Sequence, residues 1–182
     1  MIIGDPSLAV EYIKKGEIIA YPTEAVYGIG CDPWNQKSVD KIYKIKKRVS
    51  NKPFILVASA INHLNNLINI ESLTDDVLSS WPGHITWLIP ALGEAPQWLI
   101  DESTGLIAIR ISNHKIIKQI CSIFGKPIIS TSANKSSEEP FISKEDITKH
   151  FSSSIPLLVE GEIGSYTNTS IIKNMLTGEK IR

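Results

Sequence analysis

Leu106-Ile107-Ala108-Ile109-Arg110-Ile111 runs toward a helix-like stretch, His114 to Phe124, which Gly125 closes before Pro127-Ile128-Ile129. So apolar a hexapeptide predicts a strand buried in a core. A glycine directly after a helix suits the left-handed residue that ends it. Strand, helix and strand in immediate succession are the signature of an α/β layer structure. The same alternation extends outward in both directions. Upstream, Asp5-Pro6 offers a cap and a first-turn proline for a helix through Leu8, Ala9, Tyr12 and Ile13, closed by Gly16. Ile18 to Tyr21, Phe54 to Ala58 and Ile85 to Ile89 predict strands, and Ser38 to Lys47 predicts a helix. Further helices are expected through Ile61, Leu64, Leu67 and Ile68 and over Leu73 to Ser80, with Trp81-Pro82-Gly83 as a turn. Ala91 to Thr104 reads as an irregular excursion. Downstream, Ser143 caps a helix to Phe151, with Asp146 at the capping-box position. Leu157 to Val159 and Ser170 to Ile172 close the pattern as strands around a Glu160 to Thr167 loop. No repeat or low-complexity linker divides the chain, so one α/β domain over residues 1–182 is expected.

Composition bounds the chemistry. Nineteen basic residues balance nineteen acidic ones, in a chain that is 42% hydrophobic and 21% charged. A broad nucleic-acid surface normally carries a basic excess, which is missing, although a local anion pocket is compatible with neutrality. Cys31 and Cys121 form no CxxC pair and the four histidines show no metal spacing. No basic-then-apolar leader opens the sequence, and no apolar run is long enough to span a bilayer. A cytoplasmic protein with no membrane association is expected.

Within that neutral chain, Lys44, Lys46, Lys47, Arg48 and Lys52 cluster where a helix gives way to a strand. Mutual repulsion allows two explanations: a solvated helix end complementing the dipole, or a polyphosphate site. Neither a GxGxxG nor a GxxxxGK[ST] fingerprint is present to bind phosphate by backbone. Gly28 and Gly30, soon after the strand ending at Tyr21, predict tight packing or positive φ angles. Arg110 cannot shed its charge, so its apolar strand requires an anionic partner, either an internal Asp or Glu or a ligand carboxylate. Ser130-Thr131-Ser132-Ala133-Asn134-Lys135-Ser136-Ser137 reads as a polar loop and helix cap, or as neutral donors for phosphate and ribose oxygens. Lys180-Ile181-Arg182 reads as a frayed tail.

Taken together, Tyr21 to Asp32, Lys46-Lys47-Arg48 with Lys52-Pro53, Trp81-Pro82-Gly83 with Thr86, and Ser130 to Asn134 resemble the YrdC-like family of threonylcarbamoyl-AMP synthases. Arg110, Asn168-Thr169-Ser170 and Leu176 to Arg182 fit the same pattern. The resemblance implies a twisted mixed α/β sheet with flanking helices and a basic concave cleft. It implies a nucleotidyltransferase that condenses L-threonine, bicarbonate and ATP into L-threonylcarbamoyladenylate with release of pyrophosphate. Separate partner proteins would then use the product to modify tRNA. By the same resemblance Lys46, Arg48 and Lys52 hold the ATP phosphates, with Lys46 and Arg48 acting catalytically. Ser132, Asn134 and Arg182 contact the nucleotide, and Thr23, Arg110 and Ser170 seat threonine. Mg2+ is expected with ATP, without an evident set of protein ligands. Val49, His84, Ser137 and Thr169 depart from the family pattern. An alternative of another class is a non-catalytic protein binding RNA in the same basic concavity. Carbamoyl-transfer relatives with this core carry additional domains.

Overall fold

The computed structural model describes residues 1–48, 53–136 and 138–182. They form nine strands: β1 (Ile2–Gly4), β2 (Ile19–Pro22), β3 (Tyr27–Gly30), β4 (Ile55–Ala58), β5 (Ile85–Pro90), β6 (Leu106–Ile111), β7 (Ile128–Ser132), β8 (Leu157–Val159) and β9 (Ile171–Asn174). The α-helices are α1 (Pro6–Lys14), α2 (Gln36–Lys46), α3 (Asp75–Ser80), α4 (Lys115–Phe124) and α5 (Lys144–Phe151). The strands make one mixed sheet in the order β1-β8-β2-β3-β7-β4-β6-β5-β9. Four pairs are parallel (β1–β8, β2–β8, β4–β6, β5–β9) and four antiparallel (β2–β3, β3–β7, β4–β7, β5–β6).

Apolar runs are continuous where helices cover both sheet faces, as on β2 and β4, and side chains there alternate between two cores. Ile19 and Tyr21 of β2 join one core with Ala9, Val10 and Ile13 of α1 and Ile117, Ile120 and Cys121 of α4. Ala20, Leu56, Ile107, Ile109 and Ile129 face the other, with Val39 and Ile42 of α2, Val77 of α3 and Ile147 and Phe151 of α5. Both cysteines are free and buried, and desolvation pushes the Cys121 thiol up to about 12. Among the described residues no helix is long and apolar enough to cross a membrane.

Local signals explain most boundaries. Asp5 accepts from the Leu8 amide at 2.8 Å to cap α1, and Ser143 accepts from the Asp146 amide at 3.1 Å to cap α5. Gly125 closes α4 at φ 73°. Helix α2 stops one residue early, at Lys47, which takes the left-handed conformation at φ 50°.

The structure adds one strand, decides one alternative and corrects two expectations. Tyr27–Gly30, given no element in the sequence reading, is a strand, hydrogen-bonded in antiparallel register with Ile19–Pro22. Neither Gly28 nor Gly30 has a positive φ. Their role is the close packing that was the other option: a Cβ on Gly30 would collide with the Ile129 carbonyl oxygen and meet the Tyr21 ring at 2.9 Å. Ser130, Thr131 and Ser132 belong to β7, so the hydroxyl run extends the strand instead of leaving it. The helix expected around Ile61–Ile68 is a short 3-10 turn, Ile61–Leu64, followed by a hydrogen-bonded turn and a bridge between Ile68 and Ala91.

Candidate active site

The α1–α4 layer covers only part of its sheet face. Over β6, β5, β9 and the ends of β4 and β7 that face is open, and there it floors a cleft of about 390 Å3, while Val57 of β4 and Ile128 of β7 stay under the helices. On β6 the floor comes from the positions that alternate with core residues, Leu106, Ala108 and Arg110 between Ile107, Ile109 and Ile111, and Ser130, Thr131 and Ser132 at the end of β7 line it as well. Of the residues expected at a site, Thr23, Arg48, Arg110, Ser132, Ser170 and Arg182 line this cleft together.

Arg110 resolves its need for an anion internally. Its guanidinium NH1 donates to Oε1 of Glu24 at 2.5 Å, and both residues are almost wholly buried. The Ser112 hydroxyl donates to the same oxygen at 2.7 Å. Burial alone would raise the Glu24 carboxyl, but the Arg110 charge and these hydrogen bonds prevail and hold it below the ordinary carboxylate range. Oε2 of Glu24 and Nε of Arg110 are buried without partners among the described residues. The internal carboxylate does not remove Arg110 from the cleft, which it still lines. Glu24, which lies within the Tyr21 to Asp32 segment but has no role in the sequence reading, is thus a site residue. The signal was available: a buried arginine requires an acid, and Glu24 directly follows Thr23.

Thr23 sits at a tight turn, its amide and hydroxyl both donating to the Val26 carbonyl, at 3.0 and 2.7 Å. Ser170 is buried, and its hydroxyl lies 2.8 Å from that of the fully buried Thr86 on β5. These contacts fix two hydroxyl-bearing residues beside a guanidinium. Asp101, Ser103 and Thr104, in the segment read as an irregular excursion, also line the cleft. The Asp101 Oδ1 atom accepts from the amides and hydroxyls of both Ser103 and Thr104, at 2.5–3.1 Å.

The cation cluster divides. Lys44 and Lys47 are exposed. Lys46 is buried and does not line the cleft. Its ammonium donates to Ser132 O at 2.5 Å, Asn134 O at 3.0 Å and Asn134 Oδ1 at 2.6 Å, which uses all three of its protons. Asn134 is equally committed, with Oδ1 also accepting from the Ser132 hydroxyl at 2.8 Å and Nδ2 donating to Glu138 O. Lys46 and Asn134, expected to touch nucleotide, therefore face each other and knot the end of β7. Burial, with a contribution from Arg48, lowers the Lys46 ammonium to about 8. Lys52, Val49 and Ser137 lie outside the described residues.

Arg48 faces the cleft, its NH2 held by the Pro53 carbonyl at 3.0 Å and its guanidinium 4.8 Å from the Phe54 ring centroid. Burial lowers its pKa from the usual arginine value; Tyr43 opposes that shift and the charge of Arg182 adds to it. Two guanidiniums that repel each other across a cavity stabilise an anion placed between them. Arg182 is not frayed. Its side chain donates to Ser170 O from Nε and NH2 at 3.3 and 3.1 Å, and its carbonyl accepts from Ile172 N at 3.1 Å. Among the described residues the cleft shows few free cations: Arg110 is paired with Glu24, Asp101 opposes, and Lys46 does not line it.

Comparison with known proteins places the chain within a family. A family model named Sua5_yciO_yrdC and described as "Telomere recombination" matches residues 11–182. A threonylcarbamoyl-AMP synthase of Yersinia pestis (strain Pestoides F) is 43% identical over 177 residues, covering 95% of this chain and 92% of the relative. The fold superimposes on P. abyssi Sua5 complexed with L-threonine with a TM-score of 0.88 at 22% identity. That match covers 99% of this chain but 56% of the Sua5 chain, so the chain spans little more than half of Sua5's length. It superimposes on E. coli YciO with a TM-score of 0.79 at 21% identity, covering 99% of this chain and 94% of YciO.

Proposed function

The chain belongs to the Sua5/YciO/YrdC family, and from that premise we propose that it is an L-threonylcarbamoyladenylate synthase. It joins L-threonine, bicarbonate and ATP and releases pyrophosphate. The observation that carries this reading is the juxtaposition inside one cleft of two anion-binding groups. Thr23, Arg110 and Ser170 suit the carboxylate and polar groups of a small amino acid, while Arg48, Arg182 and Ser132 suit a polyphosphate.

The chemistry asks for position and charge rather than a nucleophilic side chain. The threonine amine takes up carbon dioxide from bicarbonate, giving a carbamate with loss of water. A carbamate oxygen attacks the α-phosphorus, and the bond to the bridging oxygen of pyrophosphate breaks. Arg110, steadied by Glu24, grips the amino-acid carboxylate, and Ser170, fixed by Thr86, holds the neighbouring polar group. Arg48 and Arg182 stabilise charge that grows on the leaving pyrophosphate. Lys46 contributes by fixing Ser132 at the end of β7. Lys52 is assigned to the phosphates on resemblance alone. Mg2+ would enter on the triphosphate, held by phosphate oxygens and water and offsetting their charge; Asp101 is the carboxylate beside that space. As a nucleotidyltransferase in the cytoplasm, the enzyme would pass its adenylate to separate proteins that modify tRNA. Direct RNA binding is not favoured, because zero net charge and, among the described residues, two unneutralised cleft arginines supply little backbone attraction.

The test is pyrophosphate release from ATP with L-threonine and bicarbonate omitted in turn. Release that requires both is the expected result. Release indifferent to threonine, or RNA binding without any turnover, would overturn the proposal.

A further inference from the structure

Residues 160–170 contain neither helix nor strand, and most of them are exposed. Such a segment is ordinarily mobile, yet it ends at Thr169 and Ser170, which line the cleft. What fastens it is a series of bonds to neighbouring elements. The Gly164 amide donates to Thr23 O at 2.8 Å and the Tyr166 amide to Glu24 O at 3.1 Å. A Cβ on Gly164 would meet the Glu24 carbonyl oxygen at 2.6 Å, so the segment lies directly on the Thr23–Glu24 turn.

Two histidines grip it on either side of these contacts. His114, at the start of α4, places Nε2 3.1 Å from Glu162 O. His84, just before β5, places Nε2 2.8 Å from Asn168 O, with its ring stacked on Tyr166 at 4.1 Å between centroids and 9° between planes. A carbonyl oxygen only accepts, so Nε2 must carry the proton in both rings. In both rings Nδ1 is buried and has no partner among the described residues. The second nitrogen is therefore given up while the bond to the segment is kept. His114 is also wired to the cleft arginine. Its amide donates to the Ser112 hydroxyl at 3.1 Å, that hydroxyl donates to Glu24, and Glu24 holds Arg110.

We infer that His84 and His114 are positioning residues that clamp residues 160–170 as a strap, so that Ser170 is presented to the amino-acid substrate beside Thr23 and Arg110. The assignment of that substrate rests on the function proposed above; the clamp itself does not. His84→Ala, His114→Ala and the corresponding glutamine variants test it, since a glutamine Nε2 can reproduce the donated bond. Two readouts are needed: amide hydrogen exchange at Gly164 and Tyr166, and separate calorimetric affinities for L-threonine and ATP.

Each alanine variant is expected to speed exchange at those amides by about tenfold or more and to weaken threonine by a similar factor, with a clearly smaller loss for ATP, whose arginine Arg182 leans on Ser170 O. The glutamine variants should recover most of both losses. Unchanged exchange in both alanine variants would overturn the clamp, whatever the enzyme does. Faster exchange with unchanged threonine affinity would overturn the positioning role, as would equal losses for threonine and ATP. If the wild-type protein binds no threonine, the functional reading fails and takes the substrate assignment with it, while exchange still decides the clamp.

Discussion

Replacing Glu24 by alanine should be the most damaging single change at the cleft. Arg110 would be left as a charged guanidinium, 5% exposed, with no carboxylate beside it. Arginine cannot relieve this by losing its proton. Breaking a buried pair from one side costs about 3–5 kcal/mol, or a melting point lower by roughly 6–20 °C for a domain of this size. The reverse change, Arg110→Met, strands Glu24 instead, and a carboxylate can take up a proton, so that variant should lose less and recover toward acid pH. The wild type should behave oppositely. Because the folded Glu24 value lies below the unfolded one, its stabilisation is complete above about pH 4.3 and is lost as pH falls through the folded value. The neutral pair Glu24→Gln/Arg110→Met should regain most of the stability yet fail to bind threonine, since a replaced pair is often neutral or better. Urea unfolding at several pH values, with threonine calorimetry on the same samples, measures all of this. A Glu24→Ala loss under about 1 kcal/mol would refute the reasoning, because a relieved guanidinium is the only way to avoid the cost of a buried unpaired charge.

Other consequences can be checked individually. Gly30→Ala should cost about 1–3 kcal/mol or more by overpacking against the Ile129 carbonyl and the Tyr21 ring, read by the urea midpoint. Arg48→Ala and Arg182→Ala should each weaken ATP by about tenfold or more while sparing threonine; calorimetry showing wild-type ATP affinity in both would remove the phosphate assignment. Lys46 loses one of its three donated bonds as pH rises past about 8. ATP affinity should therefore decline above that pH in the wild type but not in a Lys46→Arg variant that retains binding, and parallel profiles would show that the knot at β7 does not tune the site.

Much of the fold was legible because helices cover much of both sheet faces. Strand β6 was read with its observed bounds, and α4, α5 and β8 within a residue, since their apolar periods and capping residues agree with one another. Strand β3 was hidden because Tyr27-Gly28-Ile29-Gly30 carries glycines for contact, where Tyr21 and the β7 backbone leave no room, and glycine reads as a turn. The three residues of β1 are too few to show a period. At the site, residue types gave the ingredients but not their directions. Arg110 announced a buried anion without saying which, and Glu24 answered only when β6 and the Thr23 turn came together. Lys46 and Arg48 stand two apart in sequence, yet the left-handed Lys47 between them sends one ammonium under β7 and leaves the other cation in the cleft. The concavity itself follows from where the α1–α4 layer stops, a property of long-range packing that no local pattern encodes. One trace was visible in retrospect, in the alternation of Leu106, Ala108 and Arg110 with three isoleucines.

The most direct test of the central claim is mass spectrometry of the product formed from ATP, L-threonine and 13C-labelled bicarbonate. The account predicts an adenylate that contains threonine and a single labelled carbon, formed together with pyrophosphate. ATP turnover that yields AMP with no labelled threonyl adduct, or no turnover in protein that binds both ATP and threonine, would contradict it.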